Sequence, residues 1–101
     1  MKRIGLVTKL KPEMADEYFS LHNEIWPKVV KNAHDANIRN YTIFRKGLYL
    51  LSYFEYIGNN YEEDMKIKNS KSETIKWQQT TGKCLDPDFK EILFEGWHDD
   101  F

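Results

Sequence analysis

Apolar and polar positions alternate along residues 2–10, with Ile4, Leu6 and Leu10 on one side and Gly5 and Val7 on the other. A period of two predicts a first strand. After Pro12 the rhythm lengthens. Met14, Tyr18, Leu21 and Ile25 recur at the spacing of one helical face, while Asp16, Glu17, Ser20 and Glu24 fall opposite, so residues 13–23 read as an amphipathic helix. Pro27 in mid-helix would clash with the carbonyl of Asn23, which predicts a break between residues 23 and 26. It suits the first turn of a second helix over residues 28–36, carrying Val29, Val30 and Ala33 inward and stopping at Asn37. Residues 38–45 form the second predicted strand, with Tyr41 and Ile43 on one face and Thr42 and Phe44 on the other. Lys46-Gly47 turns into a third strand over residues 48–56. Residues 61–68 read as a short charged helix. Ser70-Lys71-Ser72-Glu73 reads as a capping box opening a helix that carries Ile75 and Trp77 and ends at Gly82. Beyond the turn at Asp86-Pro87-Asp88, residues 89–98 are the fourth predicted strand, with Ile92, Leu93, Phe94 and Trp97.

The order β-α-β-β-α-β is that of a ferredoxin-like α+β fold, a four-stranded antiparallel sheet with helices on one face. No repeat or linker divides the chain, so residues 1–101 are expected to be one domain. The third and fourth predicted strands carry large apolar residues on both faces. Helices cover only one of them, and a second copy of the same sheet is the simplest cover for the other. A homodimer with facing sheets is therefore expected.

Composition narrows the function. Fifteen basic and 16 acidic side chains are spread along the 101 residues, for a formal net charge of -1. No basic block supports nucleic-acid binding, and no apolar run is long enough to span a membrane. No apolar leader precedes the first strand, so a cytoplasmic protein is expected. Cys84, the one cysteine, permits neither an intrachain disulfide nor a cysteine-based metal cage. Aromatic residues make up 15% of the chain, including six Tyr and three Trp. Their polar tips need partners when buried, and such side chains commonly line sugar and peptide sites.

His22 is the leading chemical candidate. It lies four residues after Tyr18 and four before Trp26, on an otherwise apolar arc. One reading is a histidine whose ring nitrogens are satisfied by core groups. The other is a general acid/base, since histidine as a residue type titrates at ~6.5. Tyr18 and Trp26 would then orient a hydroxylated ligand beside it. Asn40 and Tyr41 can offer hydrogen bonds to a small polar ligand between sheet and helix, although Tyr41, Tyr53 and Trp77 are also ordinary packing residues. His34 and His98 read as solvated. The three histidines have no metal-ligand spacing, there is no Gly-rich phosphate loop, and Cys84 reads as an inert thiol. No metal is expected.

The run Tyr18-x-x-x-His22-Asn23-x-Ile25-Trp26-Pro27, then Asn40-Tyr41-x-Ile43, then Trp77 after a capped helix, closely resembles the L-rhamnose mutarotase family over nearly the whole chain. The resemblance implies a dimeric α/β barrel that interconverts the α and β anomers of a 6-deoxyhexose without a cofactor. It implies that His22 is the proton donor and that Tyr18, Tyr41 and Trp77 bind the sugar. Family members often carry two adjacent tryptophans where this chain has Lys76-Trp77. Lys76 would then hydrogen-bond a sugar hydroxyl or point to solvent, and the exchange bears on the choice between L-rhamnose and L-fucose. Two rival readings of the fold remain open on sequence alone: a small-ligand regulatory module and a cofactor-free or haem-degrading oxygenase.

Overall fold

The computed structural model describes residues 1–98. The first alternating stretch forms β1 (Lys2–Lys9), which is paired along both edges. On one side runs β3 (Tyr49–Tyr56), antiparallel, with Lys2 opposite Tyr56 and Lys9 opposite Tyr49. Beyond it lies β2 (Ile38–Lys46), and β4 (Ile92–Glu95) closes the other edge of β1. The strand order β2-β3-β1-β4 is the ferredoxin-like arrangement expected from the sequence.

Four helices lie between the strands: α1 (Ala15–Asn23), α2 (Pro27–Asp35), α3 (Tyr61–Asn69) and α4 (Ser72–Gly82). A 3-10 turn, Pro12–Met14, precedes α1, so its α-helical part begins two residues later than the periodicity suggests. The Pro27 break falls where the ring clash requires it, and Pro27 opens α2. Asn37 ends that helical segment with φ 66, the left-handed conformation in which Asn is among the tolerated residues.

The inner face of the sheet carries Ile4, Thr8, Leu50, Ser52 and Tyr56, all buried. Leu10, Leu50 and Cys84 are sealed from solvent and pack with Ala15 and Tyr18 of α1. Burying each leucine contributes about 1.5–3 kcal/mol, which ties α1 to the sheet. No buried side-chain nitrogen or oxygen among the described residues lacks a hydrogen-bond partner. Desolvation pushes the Cys84 thiol up, so it stays protonated.

Three local expectations are corrected. The fourth strand is only Ile92–Glu95, because its ladder to β1 extends only from Ile4 to Val7. Ser70 closes α3 rather than opening α4: its hydroxyl donates to the Ile67 carbonyl at 2.6 Å, and α4 begins without a side-chain cap. Val30 is exposed, and with Val29 and Ala33 it faces an open cavity rather than a sealed core.

The outer face is uncovered. Phe44, Leu51, Val7 and Ile92 form one cross-strand row, and Thr42, Tyr53, Gly5 and Phe94 the next. Phe44, Leu51, Ile92 and Phe94 keep 55%, 42%, 46% and 53% of their surface exposed. No helix among the described residues is long and apolar enough to cross a membrane.

Candidate active site

Between the inner face of the sheet and the helices opens a cavity of about 490 Å³. That volume lies within the ~300–1,000 Å³ usual for small-molecule sites. α1 supplies Tyr18 and His22, the link after it Ile25, α2 the side chains around Ala33, β2 Asn40, Tyr41 and Ile43, and α4 Trp77, Gln78 and Thr81.

His22 is half-buried in its wall. Its Nδ1 lies 2.9 Å from the carbonyl oxygen of Tyr18, one helical turn back. A carbonyl only accepts, so Nδ1 carries a proton, and in the neutral ring Nε2 keeps its lone pair. The ring lies 4.2 Å from that of Tyr18 at 30°, and 5.1 Å from that of Trp77 at 64°. These contacts leave the imidazole few orientations.

Tyr18 is only 8% exposed. Burial, and then the proximity of Tyr41 and Cys84, push its pKa well above the ordinary phenol value. It therefore remains a neutral hydrogen-bonding hydroxyl at any pH the protein meets. Desolvation raises the Tyr41 hydroxyl as well, partly offset by the hydroxyl of Ser52. Although 55% of the Tyr41 residue is exposed, its hydroxyl end is crowded by protein, and its ring stacks in parallel on Phe54 at 5.7 Å.

A β-bulge sets Tyr41 there. Arg39 pairs with Glu55 and Thr42 with Tyr53, so Asn40 and Tyr41 together oppose Phe54 alone. Asn40 takes φ 53 to allow this. Its amide donates to the Glu55 carboxylate at 2.7 Å, which also accepts from the Tyr53 hydroxyl at 2.8 Å.

The cavity thus brings together His22, Tyr18, Tyr41, Asn40 and Trp77. It does not bring in Lys76 or Trp26. Lys76 is exposed and absent from the lining; one residue before Trp77 on α4, it is turned about 100° away. Trp26 does not stack on His22 as a continuing helix would place it, because α1 ends at Asn23. Its ring instead meets Trp77 edge-on at 5.2 Å, bracing the indole that touches His22. His34, read as solvated, is exposed but lies on the cavity wall. Arg39, Lys68, Thr74, Gln78 and Thr81 also line it and carry no motif that marked them in sequence. No three His, Cys, Asp or Glu side chains gather as a metal site would need among the described residues.

The family model described as L-rhamnose mutarotase matches residues 3–97. The chain belongs to the L-rhamnose mutarotase family. Among curated relatives, the L-rhamnose mutarotase of Oceanobacillus iheyensis is 43% identical over 44 residues, 44% of this chain and 42% of that protein. The match thus spans less than half of that relative's length. The crystal structure of an L-rhamnose mutarotase from Formosa agariphila superposes with a TM-score of 0.70 at 17% identity, covering 98% of this chain and 96% of that one. A NIPSNAP family protein from Agrobacterium tumefaciens reaches 0.73 at 12% identity, covering 99% and 94%. Architecture at such identities is shared beyond mutarotases, so the choice of chemistry rests on the family match and the cavity.

Proposed function

We propose that this chain accelerates exchange between the α and β anomers of L-rhamnose, with His22 as the proton-transferring group. The observation that carries the reading is the Tyr18 carbonyl on Nδ1 of His22, which leaves Nε2 free beside an open cavity. Ring opening removes a proton from the C1 hydroxyl and adds one to the ring oxygen as the C1–O bond breaks. The aldehyde then rotates about C1–C2, and the reverse transfer closes the ring on its other face. In this reading Nε2 exchanges one of the two protons with the sugar, and water in the cavity exchanges the other. The Tyr18 and Tyr41 hydroxyls hold the sugar's own hydroxyls, with Asn40 at the same wall, and the indole of Trp77 packs on the apolar C5-methyl edge.

Two further elements belong to the proposal. The exposed rows of Phe44, Leu51, Ile92 and Phe94 fit a homodimer in which two sheets cover each other, because an apolar patch of this kind is rare on a monomer. A single buried free cysteine fits a reducing compartment, and we assign the protein to the cytoplasm.

The test is anomer exchange followed by NMR saturation transfer on L-rhamnose, L-fucose and D-glucose in parallel. Acceleration above the spontaneous rate, greatest on L-rhamnose, is the expected result. Preference for L-fucose would move the substrate within the 6-deoxy sugars, and no acceleration on any of the three would overturn the enzymatic reading.

A further inference from the structure

Formal charge around the cavity is one-sided: Lys68 and Arg39 line it, and no Asp or Glu does, in a chain with 16 acidic residues.

Lys68 is the informative member. It lies in the last turn of α3, half-buried, on a helix whose first turn holds Glu62, Glu63 and Asp64. Asp64, four residues earlier, is its natural helical partner. One oxygen of that carboxylate is turned to other elements instead. The buried Tyr56 hydroxyl donates to Asp64 Oδ2 at 2.5 Å, and the Asn37 amide donates to the same oxygen at 3.1 Å. Lys68 has no hydrogen bond or ion pair among the described residues. Its pKa is lowered by desolvation, with no nearby carboxylate opposing the effect. A partly desolvated ammonium without a partner is an unfavourable arrangement that an incoming anion would relieve. Arg39 is anchored at the same wall, its Nη1 donating to the carbonyls of His34 and Ile38, each at 2.9 Å.

We propose that Lys68, supported by Arg39, is a specificity residue that makes this cavity prefer a monosaccharide bearing an acidic substituent, a carboxylate or a sulfate or phosphate ester, over its neutral counterpart. The inference rests on reading the cavity as a sugar site. It concerns which sugar enters, not the proton transfer at C1.

The test compares binding of L-rhamnose, a monosulfate ester of L-rhamnose and a hexuronate to the full chain by calorimetry, with anomer exchange measured on the same samples. The acidic sugars should bind about tenfold or more tighter than L-rhamnose, the gain expected of one charge-assisted contact, and added salt should erode the advantage. In Lys68→Met the ratio of acidic to neutral affinity should fall toward one, and Lys68→Arg should restore it. The two acidic ligands separate carboxylate from ester recognition. Equal affinity of the unaltered protein for acidic and neutral sugars overturns the proposal, as does an unchanged ratio in Lys68→Met. If no sugar shows accelerated exchange, the mutarotase reading fails, while the affinity ratio still decides the role of Lys68.

Discussion

Trp77 stands edge-on to His22, ring centroids 5.1 Å apart, and is itself held edge-on by Trp26 at 5.2 Å. The imidazole is thus positioned by an indole whose own place depends on the link between two helices. Trp77→Ala should destabilise the fold by on the order of 2 kcal/mol, below the ~3–5 of a fully buried aromatic because Trp77 is only half-buried. It should also slow anomer exchange by about tenfold or more. Trp77→Phe, which keeps an aromatic edge, should recover most of both. Urea midpoints and saturation transfer on the two variants check this.

His22→Ala should remove nearly all enzymatic exchange, a loss of roughly 10²–10⁴ if the imidazole is the acid/base. The fold should survive, since the α1 side chains buried in the core are Ala15 and Tyr18. Lost ring contacts should cost about 1 kcal/mol. Circular dichroism confirms folding, and full activity in the variant would remove the histidine from the mechanism.

Glu55 gives the protein an acid-sensitive element. Hydrogen bonds from Asn40 and then Tyr53 hold its carboxyl below the ordinary value. Its charge therefore stabilises the fold above the unfolded pKa of ~4.3. That contribution declines as pH falls below ~4.3 and is gone once pH passes below the folded pKa. Glu55→Gln should flatten the fall of the urea midpoint with pH in that window. Because Glu55 tethers Asn40 at the bulge, the variant should also weaken sugar binding through Tyr41.

Leu51 sits in the outer row between Phe44 and Val7. A charge there cannot be buried without a partner. Leu51→Glu should convert a dimer into a monomer by light scattering without altering the inner face of the sheet. A monomeric unaltered protein would discard the facing-sheet assembly.

Much of the fold was legible in periodicity, because strand and helix faces must match the one core available to a chain of this size. The Pro27 break and the left-handed stop at Asn37 were readable for the same reason: local sterics admit few alternatives. The fourth strand is shorter than its apolar run predicts, since its length depends on the ladder with β1. Ser70-Lys71-Ser72-Glu73 has the spacing of a capping box, but the Ser70 hydroxyl bonds back to the Ile67 carbonyl, a competing partner that the motif does not weigh.

By itself the sequence determined the order of elements, the apolar inner face and the placing of His22 one turn from Tyr18, all consequences of short-range geometry. Tertiary structure alone decided that Trp26 braces Trp77 and that Lys76 turns to solvent. It also decided that Lys68 lines the cavity without an ion pair, while Asp64, its helical neighbour, bonds Tyr56 and Asn37 from other elements. Such contacts join residues far apart in the chain, and local pattern carries no record of which partner a side chain meets.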